Sequence, residues 1–257
     1  MLLAVDVGNT QTVLGLFSGS DLLHNWRVAT NVTRTADELA IMVFDLLELA
    51  EVDRHAIGAF VVASVVPKLN AQYQIMSSRH LKLEPLVVAP GVKTGMPILT
   101  NNPREVGADL IVAGVAAFDE YGGPCIVVDF GTATTFSAVS GNGEYLGTCI
   151  APGIEISMDA LTANAAKLSK IELIDPGTVI GKTTVQSMQA GAVYGFAGQV
   201  DGVVSRMREE LGGKAVSVAT GGLACLVFEH TRALDFLDNM LTLKGLEIIH
   251  RRTQEAR

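Results

Sequence analysis

The strongest constraint on the fold is an internal repeat. Val5-Asp6-Val7-Gly8-Asn9-Thr10 returns 123 residues later as Val128-Asp129-Phe130-Gly131-Thr132-Ala133. The likeness runs on without a gap. Gln11-Thr12 faces Thr134-Thr135, and the turn Ser18-Gly19-Ser20-Asp21 faces Gly141-Asn142-Gly143-Glu144. Each copy reads as a buried strand ending in Asp-x-Gly, a second apolar strand, a polar turn and a third strand. A repeat at a fixed offset points to a duplicated α/β domain. The competing explanation is chance likeness of two apolar strands.

Local patterns fill in the rest. Strands are expected over 2–7, 12–17 and 22–29. Apolar residues at helical spacing (Leu39, Val43, Leu46, Leu47, Ala50) predict a helix over 35–50, with Asp37 and Glu38 in its first turn. Residues 60–66 read as a buried strand stopped by Pro67. Asn102-Pro103-Arg104-Glu105 carries helix-start chemistry and predicts a helix from Pro103 through Asp109 to about Tyr121. A long helix is expected from about Thr183 to Leu211, and an amphipathic one over 241–250. The repeat divides the chain into a first lobe, 1–118, and a second, 119–257.

Composition removes several function classes. With 49% hydrophobic and 18% charged residues, the chain lies outside the regime of disorder. A net charge of −8 argues against nucleic acid as the main partner, because phosphate backbones select clustered Lys and Arg. No apolar run approaches the ~18 residues that span a bilayer, and the start has no basic signal-peptide region. A cytoplasmic protein with no membrane partner is expected. Cys125, Cys149 and Cys225 are far apart and read as reduced thiols.

The chemistry concentrates at the two Asp-x-Gly turns. Glycine lets the chain turn tightly and lets an anion approach the backbone amides. Those amides, with the hydroxyls of Thr10, Thr132, Thr134 and Thr135, can cradle phosphate. A carboxylate repels phosphate but can hold a cation, or a water on that cation, that bridges to it. Two such loops facing each other across a cleft would grip a nucleotide triphosphate. A third turn, Ala219-Thr220-Gly221-Gly222, either lies against the adenosine or is an ordinary strand-to-helix bend. Gly177-Thr178-Val179-Ile180-Gly181-Lys182-Thr183 imitates a P-loop but has three residues between its glycines where four are needed. Glu105 and Asp109, four apart on the expected helix, are either a coupled pair with one raised pKa or a solvated acidic face. Gly191, Gly195, Gly198 and Gly202 share one face of the long helix and predict close backbone packing, against a second copy or against the sheet.

Taken together and in order, these stretches resemble the type III pantothenate kinases, a branch of the acetate-kinase/sugar-kinase/Hsp70/actin superfamily. The carrying motifs are Asp6-Val7-Gly8-Asn9-Thr10, Pro90-Gly91-Val92-Lys93-Thr94-Gly95, Asn102-Pro103-Arg104-Glu105-Val106-Gly107-Ala108-Asp109, Asp129-Phe130-Gly131-Thr132-Ala133-Thr134-Thr135, Ala151-Pro152-Gly153 and Ala219-Thr220-Gly221-Gly222. The resemblance implies duplicated ribonuclease-H-like, actin-like ATPase domains around a central nucleotide cleft. It implies transfer of the γ-phosphoryl of ATP to the primary hydroxyl of pantothenate, the first step toward coenzyme A. By that similarity Asp6, Val7, Gly8, Asn9, Thr10, Gln11, Thr12 and Val13 form the first phosphate loop, and Thr132 contacts ATP from the second. Asp129 would be the ligand of a monovalent cation, potassium or ammonium. Asp109 would be the general base. Gly107, Ala108, Asp109, Leu110 and Thr184 would line the pantothenate pocket. Magnesium would arrive with ATP, held by its phosphates and water, and the protein would be a homodimer.

The sequence departs from that family at the acceptor side. The usual Gly-Ala-Asp-Arg reads Gly107-Ala108-Asp109-Leu110, so the Arg expected to meet the anionic substrate is missing. A charge-assisted hydrogen bond contributes roughly 1.5–3 kcal/mol. Lys93, Arg104 or Lys182 are candidates to compensate. No Tyr stands near Thr100, and Val112-Ala113-Gly114 replaces a more polar pattern. The alternative function is therefore a nucleotide-binding homologue with weak or no kinase activity and a regulatory role.

Overall fold

The computed structural model describes residues 1–89 and 92–255. The chain divides into two compact units, Met1–Ala116 with Leu241–Arg257, and Ala117–Met240. Set beside the expected lobes of 1–118 and 119–257, the division falls two residues earlier and the C-terminal helix groups with the first unit.

The first unit is built on β1 (Leu2–Val7), β2 (Gln11–Ser18), β3 (Asp21–Ala29), β4 (Ala59–Ser64) and β5 (Leu86–Val88), in the order β3-β2-β1-β4-β5. β1 runs antiparallel to β2 and parallel to β4. Its sequence Leu-Leu-Ala-Val-Asp-Val is buried throughout except at Asp6, as a central strand covered on both faces requires. The edge strand β3 alternates exposed and half-buried residues. Helix α1 (Ala36–Leu49) starts on a capping box, Thr35 with Glu38, and buries Leu39, Ala40, Val43 and Leu47. Pro67 does not merely stop β4. It is the first residue of α2 (Pro67–Met76), where its missing N–H costs nothing. Leu3, Val5, Leu14, Leu16, Leu39, Val62, Leu69 and Tyr73 form the core of this unit.

The second unit repeats the plan with β6 (Cys125–Phe130), β7 (Ala133–Val139), β8 (Tyr145–Pro152), β9 (Val216–Thr220) and β10 (Phe236–Leu237). The order β10-β9-β6-β7-β8 is the first sheet's order read from the other end. β6 has the same burial pattern as β1, with Asp129 the one partly accessible residue. The expected ribonuclease-H-like duplication is present. Ile126, Val128, Phe130, Phe136, Val200, Val204 and Ala219 lie in its core.

The repeat is not gapless. Val7 pairs with Thr12 and closes a four-residue loop, Gly8–Gln11, whereas Phe130 pairs with Thr134 and closes a three-residue loop, Gly131–Ala133. Thr12 therefore corresponds to Thr134, not to Thr135.

The expected helix from Pro103 also differs. Pro103–Glu105 is a single 3-10 turn, Val106 is extended at φ −75° and ψ 124°, and α3 (Ala108–Tyr121) starts afresh. The remaining helices are α4 (Ile154–Asn164), α5 (Thr184–Glu210, capped by Thr183), α6 (Ala224–Phe228) and α7 (Leu241–Glu255). No helix among the described residues is long and apolar enough to cross a membrane.

Candidate active site

In the first unit the β1–β2 loop is tied together by its own chain. The Gly8 amide donates to the Gln11 carbonyl at 3.0 Å. A Cβ on Gly8 would stand 2.9 Å from that same oxygen, so glycine is required for the turn. Thr30, one residue past β3, donates its hydroxyl to the Gly8 carbonyl at 2.8 Å, and its amide donates to the Thr10 carbonyl at 2.9 Å. The hydroxyls of Thr30 and Thr12 lie 2.8 Å apart. Arg27 donates to the Gln11 side-chain oxygen at 3.0 Å. Of the eight residues assigned to this loop, Asn9, Thr10 and Gln11 are exposed, while Val7 and Thr12 are buried. Val7 and Thr12 pair with each other across the β1–β2 ladder and close the loop.

Asp6 emerges at the end of β1 beside this loop. Burial, and after it the charge of Asp109, push its carboxyl up to about 6, against the lowering effects of the Thr242 side chain and the positive charge of Arg27. Asp109 stands in the first turn of α3. Burial raises its carboxyl too, against hydrogen bonds from the Leu110 amide, 2.9 Å away, and from its own amide. The break before α3 overturns the expected Glu105–Asp109 pairing. Glu105 is exposed and accepts from the Asn102 side chain at 2.6 Å. The charge of Asp109 acts instead on Asp6. Gly107 has no room for a Cβ because the Asp109 carboxylate fills that space, so Gly107 helps set where the carboxylate lies.

Ala108 is buried and Gly107 and Leu110 are half-buried. A cavity of about 260 Å³ is lined by Val88, Val92, Thr94, Met96, Ala108 and Ile111, among others. The neighbouring residues Pro90 and Gly91 of the sequence motif lie outside the described residues.

In the second unit the β6–β7 loop is buttressed from two sides. The Gly131 amide donates to the Ala133 carbonyl at 3.1 Å. Gly153, which caps α4, donates its amide to the Thr132 carbonyl at 3.2 Å, and its Cα sits so close to the Gly131 and Thr132 carbonyls that no Cβ fits. Gly221 follows β9 with φ +98°, in contact with the Asp129 carboxylate; a Cβ there would fall 2.7 Å from the Phe130 nitrogen. The turn at 219–222 is therefore more than a bend, since it packs on the end of β6. Thr135 pairs directly with Asp129 across the β6–β7 ladder. The hydroxyls of Thr134 and Thr135 are buried without a hydrogen-bond partner.

Thr184 is exposed at the first residue of α5. The P-loop imitation has no strand before it: residues 165–182 are irregular, and Thr183 serves as the α5 cap. On α5, a Cβ on Gly191, Gly195 or Gly198 would meet nothing within 4 Å, so these glycines do not pack on the sheet.

A family model described as type III pantothenate kinase matches residues 2–206. A protein of that name from Moorella thermoacetica is 56% identical over 252 residues, covering 98% of this chain and 99% of its own. Another, from Myxococcus xanthus, is 55% identical over 256 residues with both chains fully covered. The chain belongs to the type III pantothenate kinase family. Solved structures of lower identity share its fold. The Acidaminococcus fermentans (R)-2-hydroxyglutaryl-CoA dehydratase component A matches with a TM-score of 0.59 at 14% identity, covering 100% of this chain and 99% of its own. A putative N-acetylglucosamine kinase from Porphyromonas gingivalis matches at 0.56 and 14%, covering 99% and 100%. In this type III pantothenate kinase family member, sequence reasoning missed two residues at the site. Thr30 was reachable, because extending the β2–β3 hairpin sets it beside Thr10. Thr242, which comes from the far end of the chain, left no local signal.

Proposed function

We propose that this chain is an ATP-dependent pantothenate kinase, forming 4'-phosphopantothenate in the first step of coenzyme A synthesis. The observation that carries this reading is identity above one half, over the whole length, to proteins named type III pantothenate kinase. Asp109 accepts the proton of the primary hydroxyl as that oxygen bonds to the γ-phosphorus and ADP leaves. Burial brings the Asp109 carboxyl toward the range in which a general base works best. The segment from Asp6 to Val13 receives the nucleotide phosphates in the first unit, and Thr132 contacts ATP in the second. Gly107, Ala108, Leu110 and Thr184 line the acceptor pocket. The missing Arg at Leu110 weakens the hold on the pantothenate carboxylate without touching the phosphate loops. For that reason a kinase with an altered acceptor site is favoured over a regulatory homologue.

A monovalent cation fits the second loop. The Asp129 carboxylate, with the unpartnered hydroxyl of Thr135 directly across the ladder, offers the hard oxygen donors that potassium or ammonium takes. Such a cation would supply positive charge to offset that of the nucleotide phosphates. Magnesium arrives with ATP and is held by its phosphates and water. A homodimer is assigned to the bare glycine face of α5, which has open space in this chain. ADP release by the purified protein, with and without pantothenate and with and without potassium, tests the reading. Release that needs both supports it. Nucleotide binding without release, or release only with other alcohols, overturns it. A monomer by light scattering at micromolar concentration removes the dimer.

A further inference from the structure

We propose that the acceptor site of this chain takes a primary alcohol with an uncharged, alkyl-bearing amide at its far end in preference to one that ends in a carboxylate. The inference rests on the kinase reading and names the acceptor class of that same site, without excluding pantothenate.

The cavity of about 260 Å³ lies at the start of α3. Its walls include Val88, Met96, Ile98, Val106, Ala108 and Ile111, and among the described residues no charged side chain lines it. It adjoins the proposed base. Val106 and Ala108 are the chain neighbours of Gly107, and the Asp109 carboxylate occupies the place a Cβ on Gly107 would take. The Leu110 side chain stands 3.8 Å from that same place. A molecule whose hydroxyl is held at Asp109 therefore meets an apolar side chain and an apolar cavity with its remaining atoms.

The cations of this region stand elsewhere. Lys93 and Arg104 are exposed, and Arg252 packs on Gly95 and donates to the Thr94 carbonyl at 3.4 Å. None of the three lines the cavity. A carboxylate drawn into such a cavity loses its water and gains no counter-charge, which is strongly unfavourable. An alkyl chain gains instead, since each methylene that leaves water raises affinity about fourfold. Apolar cavities of ~150 Å³ already take benzene, so this one has room for a pentyl chain. The one polar side chain in its walls is Thr94, only 6% exposed. The Thr94 hydroxyl accepts from the Met96 amide at 3.4 Å, and among the described residues its own proton meets no acceptor. A single neutral donor in an apolar setting suits an amide carbonyl. The transfer itself is unchanged. The hydroxyl oxygen bonds to the γ-phosphorus, the bond from that phosphorus to the ADP oxygen breaks, and the hydroxyl proton passes to Asp109.

Pantothenate and its N-methyl, N-propyl and N-pentyl amides are compared as acceptors for the wild type. ADP release gives kcat and KM, and calorimetric titration beside a non-hydrolysable ATP analogue gives affinity. The expected order of kcat/KM is N-pentyl above N-propyl above N-methyl, with N-pentyl at least tenfold above pantothenate and the difference carried by KM. Ile98→Phe and, separately, Ala89→Phe place a ring in the cavity wall and should bring the N-pentyl to N-methyl ratio close to one. If one variant does not fold, the other decides. Pantothenate as the best acceptor, N-pentyl no better than N-methyl, or a ratio unchanged in the folded variants overturns the proposal and leaves the kinase reading standing. No ADP release with any of the four alcohols removes the kinase reading instead. The titrations then decide, through the affinity of the N-pentyl amide against that of pantothenate, whether the cavity prefers the uncharged tail.

Discussion

The two Asp-x-Gly hairpins start from one sequence pattern and end in different chemistry. The first, Gly8–Gln11, is closed upon itself: Thr30 bonds to Gly8 and Thr12, and Tyr73 also bonds to Thr12. Its carboxylate, Asp6, is raised by burial and by the charge of Asp109. The second, Gly131–Ala133, is one residue shorter and is held from outside by Gly153 and Gly221. The hydroxyls of Thr134 and Thr135, which follow it, stay unpartnered, and Thr135 lies directly across the ladder from Asp129. Duplication fixed the strands, while the two turns diverged. On the proposed reading, the first half carries the carboxylates for proton chemistry and the second the oxygen donors for a cation.

The largest break in this contrast is expected from Asp109→Asn. Turnover with pantothenate falls at least 100-fold, the lower end of what a positioned base contributes, while circular dichroism shows a folded protein. Near-normal turnover removes Asp109 from the chemistry.

Asp6→Asn tests the carboxylate pair through stability. A native pKa of about 6 against 3.8 means that ionising Asp6 destabilises the fold, by up to about 3 kcal/mol. The wild type is spared that cost below pH ~4 and bears it in full above pH ~6, so it loses stability as the pH rises between the two. Asn should be the more stable protein in urea melts at pH ~7.5, with the advantage gone near pH ~4. A variant that is less stable at both pH values contradicts the assignment.

Gly221→Ala acts on the other hairpin. Its φ of +98° and the nearby Phe130 backbone leave no relaxed place for a methyl. A destabilisation of about 1–3 kcal/mol is expected, with loss of potassium stimulation as Asp129 is displaced. Unchanged melting and unchanged potassium response would separate the turn from the site.

The smallest effects carry opposite signs. Thr12→Val removes a satisfied hydroxyl and should destabilise by about 1 kcal/mol. Thr134→Val removes a buried hydroxyl that has no partner, and without ligands should stabilise by about 1 kcal/mol. Equal signs in denaturant melts would erase the distinction between the hairpins.

The repeat made the duplicated sheets legible, because a central strand covered on both faces must be apolar throughout and the exception, aspartate, stands out. Helix α1 was legible from its apolar spacing and the acids of its first turn, and α5 lies within one residue of its expected bounds at each end. The break before α3 was not. Asn102 and Pro103 do start a turn, but Gly107 and an extended Val106 interrupt it, and helical spacing carried Glu105 onto the wrong face. The one-residue difference between the hairpins was hidden because Thr134 and Thr135 are identical and either aligns with Thr12. Thr242 was beyond reach of any local pattern, since it comes from α7 at the far end of the chain.

The most direct test follows the phosphorus. In ³¹P NMR of ATP, magnesium, potassium and pantothenate with the wild-type protein, a phosphomonoester signal should grow as the γ-phosphate signal declines, and Asp109→Asn should leave both nearly unchanged. Inorganic phosphate as the sole new signal, or a phosphomonoester formed equally well by Asp109→Asn, would contradict the account.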